Sequence, residues 1–574
     1  MQGFFENLQA ADPAFMNVYT AMARYLVPIL AGLLLLRCVL PLLTFRREPE
    51  IWAWLVLPDG RRLPITHWES VIGRSKRSDV VLDLSTVSRT HAVLTRYDDG
   101  SWTVADAGSQ SGVRVNGKRV RIRPVEMDDV ISIGGIDMTL LPISRRQEIK
   151  LAQLRSKPGR PFASIANALL LTAIQCLVCL GYLLTGDPET SLTVLTGFAG
   201  LAVCQWMLLC FYLFIRKPAF ELECIAFFLC TMGMAAIAAV KPGEAVKQVI
   251  ALVMGLALFL AVGWSLRDLE RAKVVRRIAA VAGIGFLVIT LLFGKEYHGA
   301  KNWLIIAGMS FQPSELSKVC FVFVGASALD RIVTKRNLIL FIIYSVIICG
   351  CLALMNDFGT ALIFFVAFLV IAYMRSGNVG TLALACTSLG FAGVIALKIA
   401  PHALSRFTTW RHIWEDPLGA GYQQTRALMC IASGGLFGLG AGRGWLRNVF
   451  AADSDIVFAT LSEEWGLIMA LLLVVCVLAM GLFAFRSAAL QRSSFFAIGG
   501  CTAAAILLVQ TMFNVLGTLD VLPLTGVTFP FVSNGGSSMI GVWGLLAFVK
   551  AADTRQSASF AVRQSREGWV EENE

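Results

Sequence analysis

The chain has 574 residues, 56% of them hydrophobic, and a formal net charge of +11. Soluble domains average about 45–50% apolar even with glycine counted, so this excess excludes an ordinary soluble enzyme. The positive charge collects in short loops between apolar runs, where it fixes membrane orientation, and no nucleic-acid partner is expected.

The fourteen cysteines and five histidines suggest no metal site. Cys38, Cys176, Cys204, Cys230, Cys349, Cys476 and Cys501 fall within apolar runs. The CxxC pair, Cys176 and Cys179, lies inside "AIQCLVCLGYLL" and reads as small packing residues. The histidines show no metal-ligand spacing.

In chain order, the first apolar run is "YLVPILAGLLLLRCVLPLLTF", ending at Phe45. Glu6 and Asp12 precede it and "RREPE" follows, the reverse of a secretory signal. Residues 1–47 are therefore expected to be an uncleaved anchor, with the N-terminus outside and residue 46 onward in the cytoplasm. Arg37 is costly in lipid, so it is expected either to snorkel or to face another helix. Residues 48–146 change character. Short alternating stretches ("IWAWLVL", "DVVLDL", "HAVLTRY", "SWTVADA", "DVISIG") separated by turn residues predict an all-β sandwich.

Apolar runs resume at residue 161. Spans are expected near 163–186, 190–215, 220–240, 246–265, 276–294, 313–333, 337–355, 360–375, 379–399, 459–485, 494–517 and 537–551. With the anchor, this makes a polytopic α-helical membrane protein of about thirteen spans. Loop charge tests the parity. Arg216 and Lys217, then Arg267 to Arg277, then Arg331, Lys335 and Arg336, then Arg375, Arg486 and Arg492 all fall in alternate loops. The others ("GDPET", "KPGEAVK", "NDFG") are poorer in arginine. The positive-inside rule then places the β domain in the cytoplasm and the 400–458 loop outside.

"VIGRSKRSDVVLDLSTVSRTHAVL", with the later "VNG" at Val115 to Gly117, resembles the forkhead-associated (FHA) domain. The resemblance implies binding of a phosphothreonine protein, and hence a Ser/Thr kinase in the same cell. Arg74 and Ser88, with Arg89 and Ser111, are the implied phosphopeptide-binding residues, since an arginine and hydroxyls suit a dianionic phosphate. His91 is expected to buttress the loop from within. Where the family reads "STNGT" this chain has "SQSGV", so Ser111 replaces an asparagine that grips the peptide backbone. The alternative is a sandwich that docks a partner without phosphate.

Five ordered segments carry a second resemblance: "YHGAKNWLIIAGMSFQPSELSK", "NDFGTAL", "DPLGAGYQQTRALMCIASGGLFGLGAG", "SDIVFATLSEEWG" and "LPLTGVTFPFVSNGGSS". Together they resemble the FtsW/RodA/SpoVE (SEDS) peptidoglycan glycosyltransferases over 218–552. The implied layout is a ten-span core, an accessory hairpin at 161–216 and a polar cytoplasmic tail at 553–574. The implied reaction polymerises lipid II, an acceptor hydroxyl attacking the donor's anomeric carbon and expelling polyprenyl pyrophosphate. Asp455 occupies the family's catalytic aspartate position. Glu315 and Lys318, three apart on one helical face, are substrate-binding candidates or a self-neutralising pair. Gln312, Trp303, Arg411, Arg426 and Ser537 complete the substrate-binding candidates. Glu463 and Glu464 are expected to cap and line the next helix start. "GGLFGLGAGRG" suits either a phosphate cradle or tight packing.

Two departures from the family pattern are Asn302 before Trp303, in place of arginine, and "FAAD" at Phe450 to Asp453, in place of "PEAH". No cofactor is specified, and a divalent cation such as Mg2+ stays open. The resemblance implies a class B penicillin-binding transpeptidase as partner. The alternatives are a lipid II flippase and an inactive scaffold that recruits phosphoproteins to the wall machinery.

Overall fold

The computed structural model describes residues 13–44, 51–143 and 161–553, apart from 68, 77, 97–100, 127–128, 268, 298–299, 307–308, 329–334, 377–378, 400 and 489–493. The expected polar tail, apart from Asp553, lies outside the described residues, as do 1–12 of the expected anchor.

Helix α1 (Pro13–Thr44) starts earlier than its apolar run. Val27, Ala31, Leu34, Cys38 and Leu42 recur at helical spacing and are buried, while Ile29, Leu33, Leu36 and Leu40 on the other side stay exposed, as suits lipid. Arg37 faces another helix: its Nε donates to Asn167 Oδ1 at 2.8 Å. That bond removes an unpaired guanidinium from the apolar stripe.

The β region is a sandwich of eleven strands: β1 (Ala53–Val56), β2 (Arg62–Ile65), β3 (Glu69–Gly73), β4 (Val80–Val81), β5 (Ala92–Arg96), β6 (Trp102–Asp106), β7 (Val113–Val115), β8 (Lys118–Val120), β9 (Ile122–Val125), β10 (Val130–Ile133) and β11 (Ile136–Pro142). One sheet runs β2-β1-β11-β10-β7-β8 and the other β4-β3-β5-β6-β9. Inward residues including Leu55, Ile72, Leu94, Val104 and Ile131 form its core. The β7–β8 hairpin turns at Asn116 and Gly117, with φ of +51° and +77°. Two positive φ values match the twist of a tight hairpin, which is why Asn-Gly stands there.

Fourteen further α-helices and a small sheet follow among the described residues. The helices before the sheet are α2 (Pro161–Thr185), α3 (Pro188–Phe214), α4 (Glu221–Val240), α5 (Ala245–Leu266) and α6 (Leu269–Phe293). A three-stranded antiparallel sheet, β12 (Lys295–Tyr297), β13 (Ala300–Ile306) and β14 (Met309–Phe311), then precedes α7 (Ser314–Ala328). No strand is expected here from the sequence pattern. The segment is short and weakly alternating, and pairing holds it. Next come α8 (Lys335–Leu354), α9 (Phe358–Ser376) and α10 (Val379–Ile399). The region read as a long outer loop contains α11 (Pro401–Thr409) and α12 (Tyr422–Gly434). The last helices are α13 (Val457–Ala488), α14 (Ser494–Thr518) and α15 (Gly536–Ala551). Helix α13 is broken at Gly466, where φ is +88° and ψ is +162°.

Every expected span contains a helix. By length and composition, eight helices among the described residues qualify to cross a membrane, and Ile339–Leu354, Phe358–Met374 and Gly536–Ala551 are shorter apolar helices. The chain is thus a multi-pass membrane protein. Helix α15 is buried from Ser537 to Ala551 and packs on α5, α7 and α14. Helix α4 packs on α1, α2, α3 and α13. The α2–α3 hairpin is stitched inward by Gln175, whose Nε2 donates to Gln205 Oε1 at 3.0 Å and to Thr231 Oγ1 of α4 at 3.3 Å. At its other end the Tyr212 hydroxyl donates to Glu223 Oε1, which also pairs with Lys550 Nζ at 3.1 Å.

Candidate functional site

Asp455 sits on a turn at 451–456 that leads into α13. The turn closes on the Ala451 carbonyl, which accepts the N–H groups of Ser454 and Asp455 at 3.1 and 3.0 Å. Three consecutive carbonyls are then fixed from outside. Asp453 O accepts the Asn534 N–H at 2.8 Å. Ser454 O accepts the Ser533 hydroxyl at 2.7 Å. Asp455 O accepts the Asn514 amide at 3.0 Å, and the same amide reaches Val527 O at 2.9 Å. The backbone under Asp455 is therefore preorganised by α14 and the 527–534 segment. The half-buried carboxylate faces Gly526 (φ +69°), where an added Cβ would lie 3.4 Å from Oδ2. A side chain at 526 would be strained and would crowd the acid.

The segment beside Gly526 joins this turn to the start of α9. A Cβ on Gly359 would lie 3.3 Å from that of Thr525. Asp357 caps α9, its Oδ1 accepting the Thr360 N–H at 3.1 Å. Its Oδ2 accepts the Asn302 amide at 3.0 Å and the Gln312 amide at 3.3 Å. Gln312 N–H in turn donates to Ser537 Oγ at 3.1 Å. Gln312 and Ser537 are thus brought together, around an acid the sequence reading did not single out. The signal was present: Asp357 three residues before Thr360, opening an apolar run, is an N-cap pattern. Trp303, half-buried, lies in β13 opposite Lys295. Glu315 and Lys318 form a 2.8 Å ion pair with side chains 5% and 1% exposed.

The arginines divide. Arg406 of α11 donates to Thr525 O at 3.0 Å, which sets a guanidinium on the segment facing Asp455. Arg411 stacks over Trp410 at 5.6 Å, and its N–H donates to Asp520 Oδ1. Arg426 lies 5.3 Å from the Tyr422 ring and 6.0 Å from that of Trp445. Arg406, absent from the candidate set, is the arginine placed at this wall.

The glycine-rich segment is a packing device. Leu439 and Gly440 donate their N–H groups to the Glu463 and Glu464 carbonyls, both at 2.9 Å. Trp445 and Leu446 donate theirs to the Glu463 carboxylate, both at 2.9 Å. Glu464 takes the Gly444 N–H at 3.3 Å and the Tyr182 hydroxyl at 2.6 Å. These amides are consumed by the chain itself, so they offer no phosphate cradle. The two glutamates also do not line a helix start. They end the first segment of α13, just before the Gly466 break, and hold the preceding loop.

In the β sandwich, Arg74 and Arg89 are exposed and Ser88 is half-buried. Arg74 N–H donates to Ser88 O at 3.0 Å, and the Arg89 carbonyl accepts Ser75 N–H at 3.2 Å. His91 is fully buried. Its Nδ1 accepts the Ser88 N–H at 3.0 Å, so Nε2 bears the proton and donates to Gly112 O at 3.2 Å. It buttresses two loops at once. Ser88 Oγ accepts the Gln110 N–H at 3.2 Å, and Ser111 Oγ donates to Thr86 O at 3.2 Å. Among the described residues, no group of three or more His, Cys, Asp or Glu side chains is arranged to hold a metal ion.

Known proteins match both regions. The family of cell cycle proteins FtsW, RodA and SpoVE matches residues 227–558, and the FHA domain family matches 70–134. The peptidoglycan glycosyltransferase RodA of Mycobacterium tuberculosis (strain ATCC 25618 / H37Rv) is 31% identical over 325 residues, 53% of this chain and 69% of its own length. The probable peptidoglycan glycosyltransferase FtsW of Thiomicrospira cyclica is 32% identical over 269 residues, 45% and 69% of the two chains. A solved chain from work on the structural coordination of polymerization and crosslinking by a peptidoglycan synthase complex aligns with a TM-score of 0.50 at 25% identity. It covers 57% of this chain and 96% of that one.

Proposed function

Because the chain belongs to the FtsW/RodA/SpoVE family and also carries an FHA domain, we propose that it is a peptidoglycan glycosyltransferase that polymerises lipid II, with phosphothreonine-dependent recruitment or regulation. The carrying observation is the carboxylate of Asp455, on a turn whose carbonyls are fixed at three successive residues, facing a residue with no side chain. A base must be held at a set distance from the hydroxyl it deprotonates, and such a turn does that.

In the proposed step an acceptor sugar hydroxyl forms the new C–O bond at the donor's anomeric carbon. The anomeric bond to the polyprenyl pyrophosphate breaks, and Asp455 takes the hydroxyl proton. Arg406 at Thr525 supplies positive charge for the departing pyrophosphate. Arg411 and Arg426 bind substrate more peripherally, on their aromatic supports. Gln312, Ser537 and Trp303 contact sugar, and the Glu315–Lys318 pair supports that wall from behind. A divalent cation such as Mg2+ would add charge at the pyrophosphate. On the loop-charge reading, Asp455 and the N-terminus face outward and the FHA domain is cytoplasmic. There Arg74, Ser88, Arg89 and Ser111 would take a phosphothreonine made by a Ser/Thr kinase. A class B penicillin-binding protein is the proposed crosslinking partner. The proposed units are 1–47, 48–146, 161–216, 218–552 and 553–574.

Purified full-length protein in liposomes with fluorescent lipid II tests this reading. Polymer formed by the wild type and lost in Asp455→Asn supports it. Lipid II scrambling without polymer would make the protein a flippase. Neither activity, with phosphopeptide binding intact, would make it a scaffold.

A further inference from the structure

The side chain two residues before Asp455 is a second acid, and it is more deeply buried. The Asp453 side chain is 1% exposed, and Lys241 Nζ lies 3.2 Å from its Oδ1 and 3.1 Å from its Oδ2. The Asn534 amide donates at 2.7 Å to both Asp453 Oδ2 and Glu244 Oε2. Lys241 stands at the C-terminal end of α4, where a cation is favoured by the helix dipole, and its side chain is 50% exposed. The turn thus carries a buried acid with its own cation.

We propose that Asp453 and Lys241 are a positioning pair for Asp455, fixing the turn and setting the charge that surrounds the proposed base. The inference rests on the reading of Asp455 as that base. Mechanical fixing alone does not call for a charge here. Asn514, Ser533 and the Asn534 backbone already hold the turn with neutral hydrogen bonds. Burying the Asp453 carboxylate, even beside a half-exposed cation, costs more than burying an apolar side chain of the same shape. A charge two residues from Asp455 acts on it through space.

Other charged groups near the turn among the described residues have partners of their own. Glu244 bonds Asn534 and lies 3.9 Å from Lys247. Arg406 is on Thr525 O, and Asp357 takes the Asn302 and Gln312 amides. Asp520 at the end of α14 takes the Arg411 N–H, and Glu315 and Lys318 neutralise each other. Removing Lys241 or Asp453 separately changes the charge beside Asp455 in opposite directions.

The test is the pH profile of kcat/KM for glycan polymerisation by the full chain. Lys241→Met leaves Asp453 unopposed, so the acidic limb moves to higher pH by about half a unit to one unit. Asp453→Asn keeps an oxygen for Asn534 but leaves Lys241 unopposed, so the limb moves to lower pH by a similar amount. The double variant returns the limb to its wild-type position, and KM stays unchanged throughout. A merely structural role would lower kcat without moving the limb. Limbs that stay put, or that move together, overturn the proposal. If Lys241→Met does not fold, the downward shift in Asp453→Asn, or its absence, decides. Asp455→Asn is run in parallel: if it loses turnover while the limbs stay fixed, the positioning pair alone fails. If it keeps turnover, both the pair and the base reading fail.

Discussion

Removing the Lys318 charge is expected to destabilise the membrane core more than most single substitutions. Its ammonium and the Glu315 carboxylate meet at 2.8 Å with 1% and 5% of their side chains exposed. Glu315 Oε2 already lacks a hydrogen-bond partner among the described residues. Lys318→Met therefore leaves an uncompensated buried carboxylate, a change worth about 3–5 kcal/mol. Replacing both partners is different. Glu315→Gln with Lys318→Met removes the pair of charges at once and is expected to recover most of that loss, because the desolvation penalty goes with the attraction. The assay is denaturation of the purified full chain in detergent, followed by the midpoint for wild type, both single variants and the double variant. A Lys318→Met protein as stable as wild type would refute the reasoning. So would a double variant as unstable as the single.

Three further outcomes follow from the geometry. Glu463→Ala removes the acceptor for the Trp445 and Leu446 N–H groups, and with two charged hydrogen bonds at stake it should cost about 3–6 kcal/mol. Limited proteolysis within 435–446 should accelerate; an unchanged digestion rate contradicts the hold of Glu463 on this loop. Arg74→Ala should reduce phosphothreonine-peptide binding at least about tenfold, as loss of a charge-assisted bond does, while leaving the melting of the β sandwich unchanged because the side chain is exposed. Equal affinity in titration calorimetry would remove the phosphate grip. The N–H of Glu126, and then the Asn116 amide, hold the Asp129 carboxyl below the usual carboxylate range. A depressed folded pKa gives stability that is present above the unfolded value and lost as pH falls through the folded one. The gap in melting temperature between wild type and Asp129→Asn should therefore be largest near neutrality and close on acidification; a gap that widens in acid contradicts this.

Local signals made much of this protein legible. The apolar runs are continuous, so each span's helix could be placed from hydropathy alone. The sandwich was marked by alternation and by the turn residues between its short stretches, while the positive φ at Asn116 and Gly117 is a feature of the structure. The role that the FHA resemblance implied for His91 matches the loop bonds it makes, its Nδ1 taking the Ser88 N–H. What escaped depended on distant partners. Asp453 gains its meaning from Lys241 and Asn534, far away in the chain. Asp357 needs Asn302 and Gln312 beside it before it counts as more than a cap. The glycine run was ambiguous because its amides suit a phosphate as well as a carbonyl. Only the approach of Glu463 and Glu464 decides between them. Arg406 has nothing in its neighbouring residues to set it apart from Arg411 and Arg426, and only α11 brings it to Thr525.

The most direct test of the proposed chemistry is the turnover number of Asp455→Asn, measured with lipid II on protein that melts like the wild type. Loss of a general base predicts that kcat falls by at least about 100-fold with KM nearly unchanged. A neutral variant that elongates glycan at the wild-type rate would contradict it.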